Sequence, residues 1–506
     1  MKVFMRLLVL LLVVLFVLPL SACTSTNGSN GAGKEAKAGE ANIAKNNSGS
    51  TADSPITLRV MDWSDSVKTI REEFHKQFMA KYPNIKIEYT QLTVDQFKNT
   101  ILTAIQSGRA PDLFPIPSNV KLATAVAEGW FQPLNPYLGE DFLNQFADGT
   151  FQNGITSFDG QLYAIPETAS LPSSLVFYNK TLLKEAGYDE TNLPRTYTEF
   201  RAAAKKITEN GQGKYYGIVE GGKQTGRWLM IVRDWSSLAG AGLNSTSPIN
   251  LADGLTTYNS EPVTGVYSLF KGLADDKSFH PQTMSISAPE ARALFGQGQA
   301  GFIVQGAWSI GVWNKDNPNL DYGVMAPPVP DTGRKGSIEL AGSLPWMGIS
   351  ADSKNPEAAA LYLKELYTGD YFQKARVSSG DAFSLIKGIN EQYATVPQLK
   401  AYYELAHEYG RTVPNPAIRN PKSPGVFEYY KDVHPDLGEL LAGTVAGAVT
   451  DYTGQLGQYS EQVGKAWTTA IDNAKKAGVQ LDEDDFVFPN WKPMADYLPE
   501  DYAALK

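Results

Sequence analysis

Side chains that commonly do chemistry are present in this chain, but not in the patterns that chemistry demands. The four histidines, His75, His280, His407 and His434, lie far apart, and none has a second histidine at zinc-ligand spacing. His407-Glu408 lacks the second histidine of a zinc-protease helix. His75 falls on a helical pattern and reads as solvated or half-buried. No Gly-x-Ser-x-Gly turn presents a serine nucleophile, no Gly-x4-Gly-Lys-Ser/Thr loop offers amides to a phosphate, and no EF-hand loop is present. Gly296-Gln297-Gly298-Gln299-Ala300-Gly301 has dinucleotide-fingerprint spacing. It precedes a strand-like run over 301–305 instead of following a strand and opening a helix, so it reads as a turn. Among 54 carboxylates no pair is singled out by spacing. Glycosidase acids converge only in the fold, so an enzyme acting on polysaccharide stays open as an alternative. No catalytic residue, metal or cofactor is implied.

The chemistry left is that of binding. Most of the nine Trp and 25 Tyr serve two large cores, and the surplus leaves room for an aromatic-lined site, where a flat ring and a polar tip are both useful. A formal charge of −9, with no Lys/Arg run, argues against nucleic acid and against adhesion to anionic lipid. It weakens the case for a polyanionic ligand without removing it.

The N-terminal segment carries an address. Lys2 and Arg6 precede an apolar run from Leu7 to Leu18, closed by Pro19 and small residues, the layout of a secretory signal. It is too short for a stable membrane span. Leu20-Ser21-Ala22-Cys23 resembles the lipobox of bacterial lipoproteins, in which the cysteine is acylated and the chain cut before it. Cys23 is the only cysteine, so no disulfide claims it. Removing 1–22 takes away two positive charges and no negative ones, giving −11 over 484 residues. Residues 24–54 are rich in Ser, Gly, Asn, Ala and Lys, with Ile43 the only large apolar side chain. Such a tether spans roughly 30 Å.

The remainder alternates strand and helix signals and is long enough for two lobes. Residues 56–63 read as a strand. Ser66 opens a helix with Phe74 and Phe78 on one face, and residues 85–89 alternate as a second strand. Thr93-x-x-Gln96 is a capping box, followed by a strand near 113–116. Strand, helix, strand, helix, strand is the opening of a doubly wound α/β sheet. Later, Thr196-x-x-Glu199 caps another helix, Asn355-Pro356 opens one, and a long helix runs from about 455 to 478 with Trp467 on its apolar stripe.

Several segments follow one another in a characteristic order. Phe78 to Tyr89 (FMAKYPNIKIEY), Ser107 to Phe114 (SGRAPDLF), Gly129 to Leu134 (GWFQPL), Gly160 to Glu167 (GQLYAIPE) and Phe177 to Lys180 (FYNK) come first. Phe295 to Trp308 (FGQGQAGFIVQGAW) and Ile349 to Leu366 follow. Together they resemble the extracellular solute-binding proteins of family 1, the sugar-capturing lipoproteins of ABC importers, over about 56–485. Chain length and Phe488-Pro489-Asn490-Trp491 look most like the longer Firmicutes members that import oligosaccharides.

The resemblance implies an α/β, two-lobed periplasmic-binding-protein type II fold with a ligand cleft at the hinge. The expected division is a signal segment 1–22, a tether 23–54, a first lobe of 55–168 plus 328–390, and a second of 169–327 plus 391–506. Hinge crossings are expected near 166–172, 324–329 and 385–395. A carbohydrate ligand, ABC permease transmembrane subunits, a membrane anchor through Cys23 and a monomeric protein follow. A module presenting sugar to a membrane sensor is equally compatible.

Trp63 and Asp65 end the first strand, at the edge where open α/β sheets bind ligands. The alternative for Trp63 is the core. Asn119 follows the third strand, as a ligand contact or a turn residue. Glu167 matches a family position that accepts sugar hydroxyl protons, the alternative being a hinge ion pair. Trp308 matches the family's stacking aromatic of the second lobe, and Trp346 stands at a first-lobe edge. Trp228 clusters with Arg233 and Trp235, at least one of which belongs in a helix core. Asp381 is a loop acid near a crossing. An acidic oligosaccharide would need positive charge in the cleft, for which Arg227, Arg233 and Arg376 are available.

Overall fold

The structure, a computed structural model, describes residues 55–340 and 344–505. The signal segment 1–22, the tether 23–54 and Cys23 lie outside the described residues. Strand Ile56–Asp62 alternates, with Leu58 and Val60 buried and Thr57 and Arg59 exposed, so one face commits to a core. It pairs in parallel with Ile85–Gln91, Ile56 opposite Ile85 and Asp62 opposite Gln91. Helix Lys68–Lys81 connects them and buries Phe74 and Phe78 on the sheet, each ring contributing about 1.5–3 kcal/mol. On the other side come Leu113–Pro115 in parallel and Met347–Ile349 antiparallel to it. The Thr93 capping box forms as expected and starts helix Val94–Gln106.

His75 differs from the expectation of a solvated or half-buried side chain. It is only 4% exposed, its Nε2 lies 2.8 Å from the Tyr362 hydroxyl, and the Tyr89 ring packs edge-on against it. Burial and the neighbouring Arg71 guanidinium push it down to about 3, so the core carries a neutral imidazole.

A second sheet has the order Tyr216–Ile218, Ala300–Gln305, Leu175–Asn179, Tyr322–Met325. Every side chain of Leu175–Asn179 is buried, as a strand covered on both faces requires. Helix Tyr197–Gly211 starts at the Thr196 capping box and packs Phe200, Ala203 and Ile207 into this core. The Gly296–Gly301 run is the turn between helix Ala288–Gly296 and strand Ala300–Gln305, so it does not open a helix.

The return to the first sheet comes later than 328. The proline-rich run after Met325 does not cross: Val329 exchanges backbone bonds with Arg195 and Tyr197, both 2.9 Å, and stays with the second lobe. Ile338 is fully buried with Phe177 and Trp313, and Ile338–Leu340 pairs with Gly410–Thr412. The first sheet is regained only at Met347–Ile349. Elsewhere the linkers meet, Ala169 N–H donating to Phe383 O at 2.9 Å.

The C-terminal part packs on the second lobe. Helix Leu437–Val445 lies against Thr225–Leu238, and the long helix Tyr452–Lys476 buries Trp467 among Phe427, Tyr430 and Phe486. No helix among the described residues is long and apolar enough to cross a membrane.

Candidate functional site

Strands of one sheet end where their neighbours end, so the loops after them gather at one edge. In the first lobe these loops supply Trp63 and Asp65 after Ile56–Asp62, Thr93 after Ile85–Gln91 and Ser118 after Leu113–Pro115. In the second lobe Ala307 and Trp308 follow Ala300–Gln305, joined by Arg227 and Arg292 from two helices. Together with the linkers they enclose a cavity of about 470 Å³, the size of a small-ligand site.

The nine tryptophans divide sharply by environment. Trp228, Trp235 and Trp313 are fully buried and Trp130, Trp467 and Trp491 nearly so, whereas Trp63, Trp308 and Trp346 are half-buried and line the cleft. Trp63 meets Trp346 edge-on with centroids 4.7 Å apart and touches Phe97 at the same distance, so its ring is fixed on one side and open on the other. Trp308 explains its own glycine: a Cβ at Gly306 would come within 2.2 Å of the indole. Only glycine lets the ring fold back over the chain at the head of helix Trp308–Asp316.

Behind the aromatic wall runs a buried chain of alternating charge. Arg71 Nε lies 2.8 Å from Asp62, and its terminal nitrogen reaches both oxygens of Glu167 at 2.9 and 2.8 Å. Arg376 contacts Glu167 at 2.5 Å and Asp381 at 2.6 Å, and Ser66 Oγ donates to Asp381 at 3.1 Å. Burial pushes Asp62 and Asp381 up, against the pull of Arg71 and Arg376 respectively. Glu167 and Asp381 therefore line the cleft while their oxygens are held by guanidinium groups. Asp65 is more open, its side chain 43% exposed, and it pairs across the lobes with Arg292.

Two expected residues are not brought into this cavity. Trp228 is a core residue, its Nε1 donating to Gly222 O at 3.1 Å and its ring edge-on to Phe270, so it presents nothing to a ligand. Asn119 is exposed in the turn beside Ser118, and Ser118 takes the lining position. Arg292 and Gln305 line the cleft unanticipated. Their only sequence signals, a capping box at Ser287-x-x-Glu290 and an apolar strand, say nothing about which way a polar side chain faces.

A second cavity of about 710 Å³ adjoins the first, with Leu344 lining both. Its walls include Lys121 and Phe158 of the first lobe and Asn415, Phe427 and Tyr502 of the C-terminal part. Leu344, Ile418 and Leu498, three of the six large apolar side chains most exposed among the described residues, line it. Elsewhere His434, Asp436 and Glu439 come together. Their oxygens are engaged in a capping box, and His434 Nδ1 sits 2.8 Å from Glu439, which accounts for the grouping without a metal.

Two α/β lobes with a ligand-sized cleft at the carboxyl ends of their strands define a bilobal binding protein. The chain belongs to the bacterial extracellular solute-binding proteins, whose profile matches residues 63–371. It is similar to a Brucella abortus protein described as a binding protein, 27% identical over 325 residues, 64% of this chain and 75% of that one. The maltotriose-binding protein of Pyrococcus abyssi is 23% identical over 375 residues, 72% and 73% of the two chains. Among solved structures, an ABC substrate-binding protein from Listeria monocytogenes in complex with cycloalternan superposes with a TM-score of 0.61. It is 19% identical, covering 82% of this chain and 99% of its own, a likeness that establishes the fold.

Proposed function

We propose that this protein captures a carbohydrate, an oligosaccharide, and delivers it to the transmembrane subunits of an ABC importer, acting as a lipid-anchored monomer without catalysis. The observation that carries the reading is the set Trp63, Trp346 and Trp308, half-buried indoles contributed by both lobes to one cavity. Sugar rings offer C–H faces for such indoles and hydroxyls for the polar groups between them. The similar proteins, one named for maltotriose and one solved in complex with cycloalternan, support a sugar, and the Listeria protein supports an ABC partner. The adjoining 710 Å³ cavity supports a ligand longer than one unit. Rigid lobes closing on a ligand give the importer a shape to read, and the ligand shifts that equilibrium only by its differential affinity.

Calorimetric titration of residues 55–506 with mono- and oligosaccharides, beside peptides and polyamines, tests the reading. Binding confined to glycans is expected, tighter for trimers than for monomers. Binding of peptides or polyamines with no response to any glycan would overturn it. The lipobox-like Leu20-Ser21-Ala22-Cys23 supports the anchor. Cys23→Ser is expected to move the protein from the membrane fraction to the medium with glycan affinity unchanged. Retention in the membrane fraction would contradict the anchor.

A further inference from the structure

The cleft's unsatisfied groups are all of one kind. The buried side-chain polar atoms that line it without a partner are Arg227 Nε, Arg292 Nε, Gln305 Nε2 and Trp346 Nε1. Each is an N–H donor, and among the described residues no lining acceptor is left in the same condition. A buried donor without an acceptor is costly, so the protein behind this wall supplies more donors than acceptors and does not saturate the Arg227 guanidinium from within.

Charge points the same way. The lining acids Glu167 and Asp381 are taken by Arg71 and Arg376, and Asp65 by a terminal nitrogen of Arg292. Arg227 forms no ion pair among the described residues, its one bond going to Val304 O. The carboxyl nearest to it in effect, Glu220, already accepts the Val304 N–H at 2.5 Å, and burial pushes it up to about 7. Burial thus disfavours the ionised form of Glu220, which balances the guanidinium charge incompletely. Arg292, 4% exposed, gives one terminal nitrogen to Asp65, whose side chain is 43% exposed. Helices Thr225–Leu238 and Ala288–Gly296 also begin at the cavity, through Gln224 and Ser287, and their N-termini add positive potential.

We infer that the ligand carries a carboxylate, as a uronic acid unit does, and that Arg227 and Arg292 of the second lobe hold it. The inference rests on the carbohydrate reading above. A planar carboxylate offers two oxygens to guanidinium N–H groups, whereas a hydroxyl offers a single neutral oxygen and brings a proton that a guanidinium cannot accept. The acidity of the whole chain does not oppose this, because the contact is local and shielded from solvent.

The test is calorimetric titration of the wild-type protein with trimers of galacturonic, glucuronic and mannuronic acid, each beside its methyl ester, which keeps the shape and removes the charge. At least one acid should bind about 10- to 100-fold more tightly than its ester, the worth of a charge-assisted bond. Arg227→Gln should reduce that preference to less than about threefold, and Arg227→Lys should keep part of it. Neutral sugars or esters binding as well as every acid would overturn the carboxylate and leave the carbohydrate reading standing. Failure of all acids, esters and neutral glycans would overturn both. The acid-to-ester ratio is read on the wild-type protein, so it decides even if a variant fails to fold.

Discussion

Arg71→Met should lower the unfolding free energy by about 3–5 kcal/mol, the typical result of removing one partner from a buried ion pair. Arg71 is wholly buried and is the link between Asp62, at the end of the first strand, and Glu167, at the crossing into the second lobe. Methionine fills a similar volume, so the loss is electrostatic and not a cavity. The sign of the pH dependence follows from Asp62, whose carboxyl is already raised by burial and pulled down by Arg71. Without that pull it rises further. A carboxyl raised on folding holds a proton that the unfolded chain releases, so stability falls as pH rises from its unfolded value through its folded one. The deficit of the variant should therefore be smallest near pH 4 and widen toward neutrality. Urea unfolding of both proteins at pH 4.5 and 7.5 measures it. A deficit under about 1 kcal/mol, or one independent of pH, would show that the network carries little of the stability assigned to it.

Trp308→Ala should weaken glycan binding about 30-fold, near 2 kcal/mol, as truncation of a central tryptophan in a binding surface does. The ring is half-buried and rests on Gly306, so its removal should shift the unfolding midpoint little. Trp228→Ala is the opposite case. It empties a fully buried site in the second-lobe core and should cost about 3–5 kcal/mol of stability, with affinity preserved in the fraction that folds. Titration calorimetry and thermal unfolding on the pair separate the two roles. Equal losses of affinity in both variants would contradict the division of the tryptophans into wall and core.

That division shows what could be read before the fold was known. Trp63 and Trp308 follow strand patterns, and in an open α/β sheet a residue just past a strand sits at the ligand edge. Trp228 lies among apolar residues on helix Thr225–Leu238, where neighbouring positions face different ways and no periodic count decides which one meets solvent. Capping boxes at Thr93 and Thr196 were legible because every interaction is local, within four residues. His75 misled because its partner Tyr362 is 287 positions away. The proline run at 327–330 looks like a hinge crossing, yet prolines equally end a strand, and tertiary pairing with Arg195 and Tyr197 settles the choice. Glu167 stood in the sequence between a sugar contact and an ion pair. Which of the two it serves depends on Arg71 and Arg376, 96 and 209 positions away. The family segments were recognisable one by one, Phe488-Pro489-Asn490-Trp491 among them, but the wall built by 412–502 against the first lobe depends on long-range packing.

The most direct measurement is a crystal structure of residues 55–506 with a bound oligosaccharide. Density is expected between the lobes, with a sugar ring against Trp308, another against Trp63 and Trp346, and further units toward Leu344. Ligand density on the outer surface of either lobe, with the cleft holding only solvent, would contradict it.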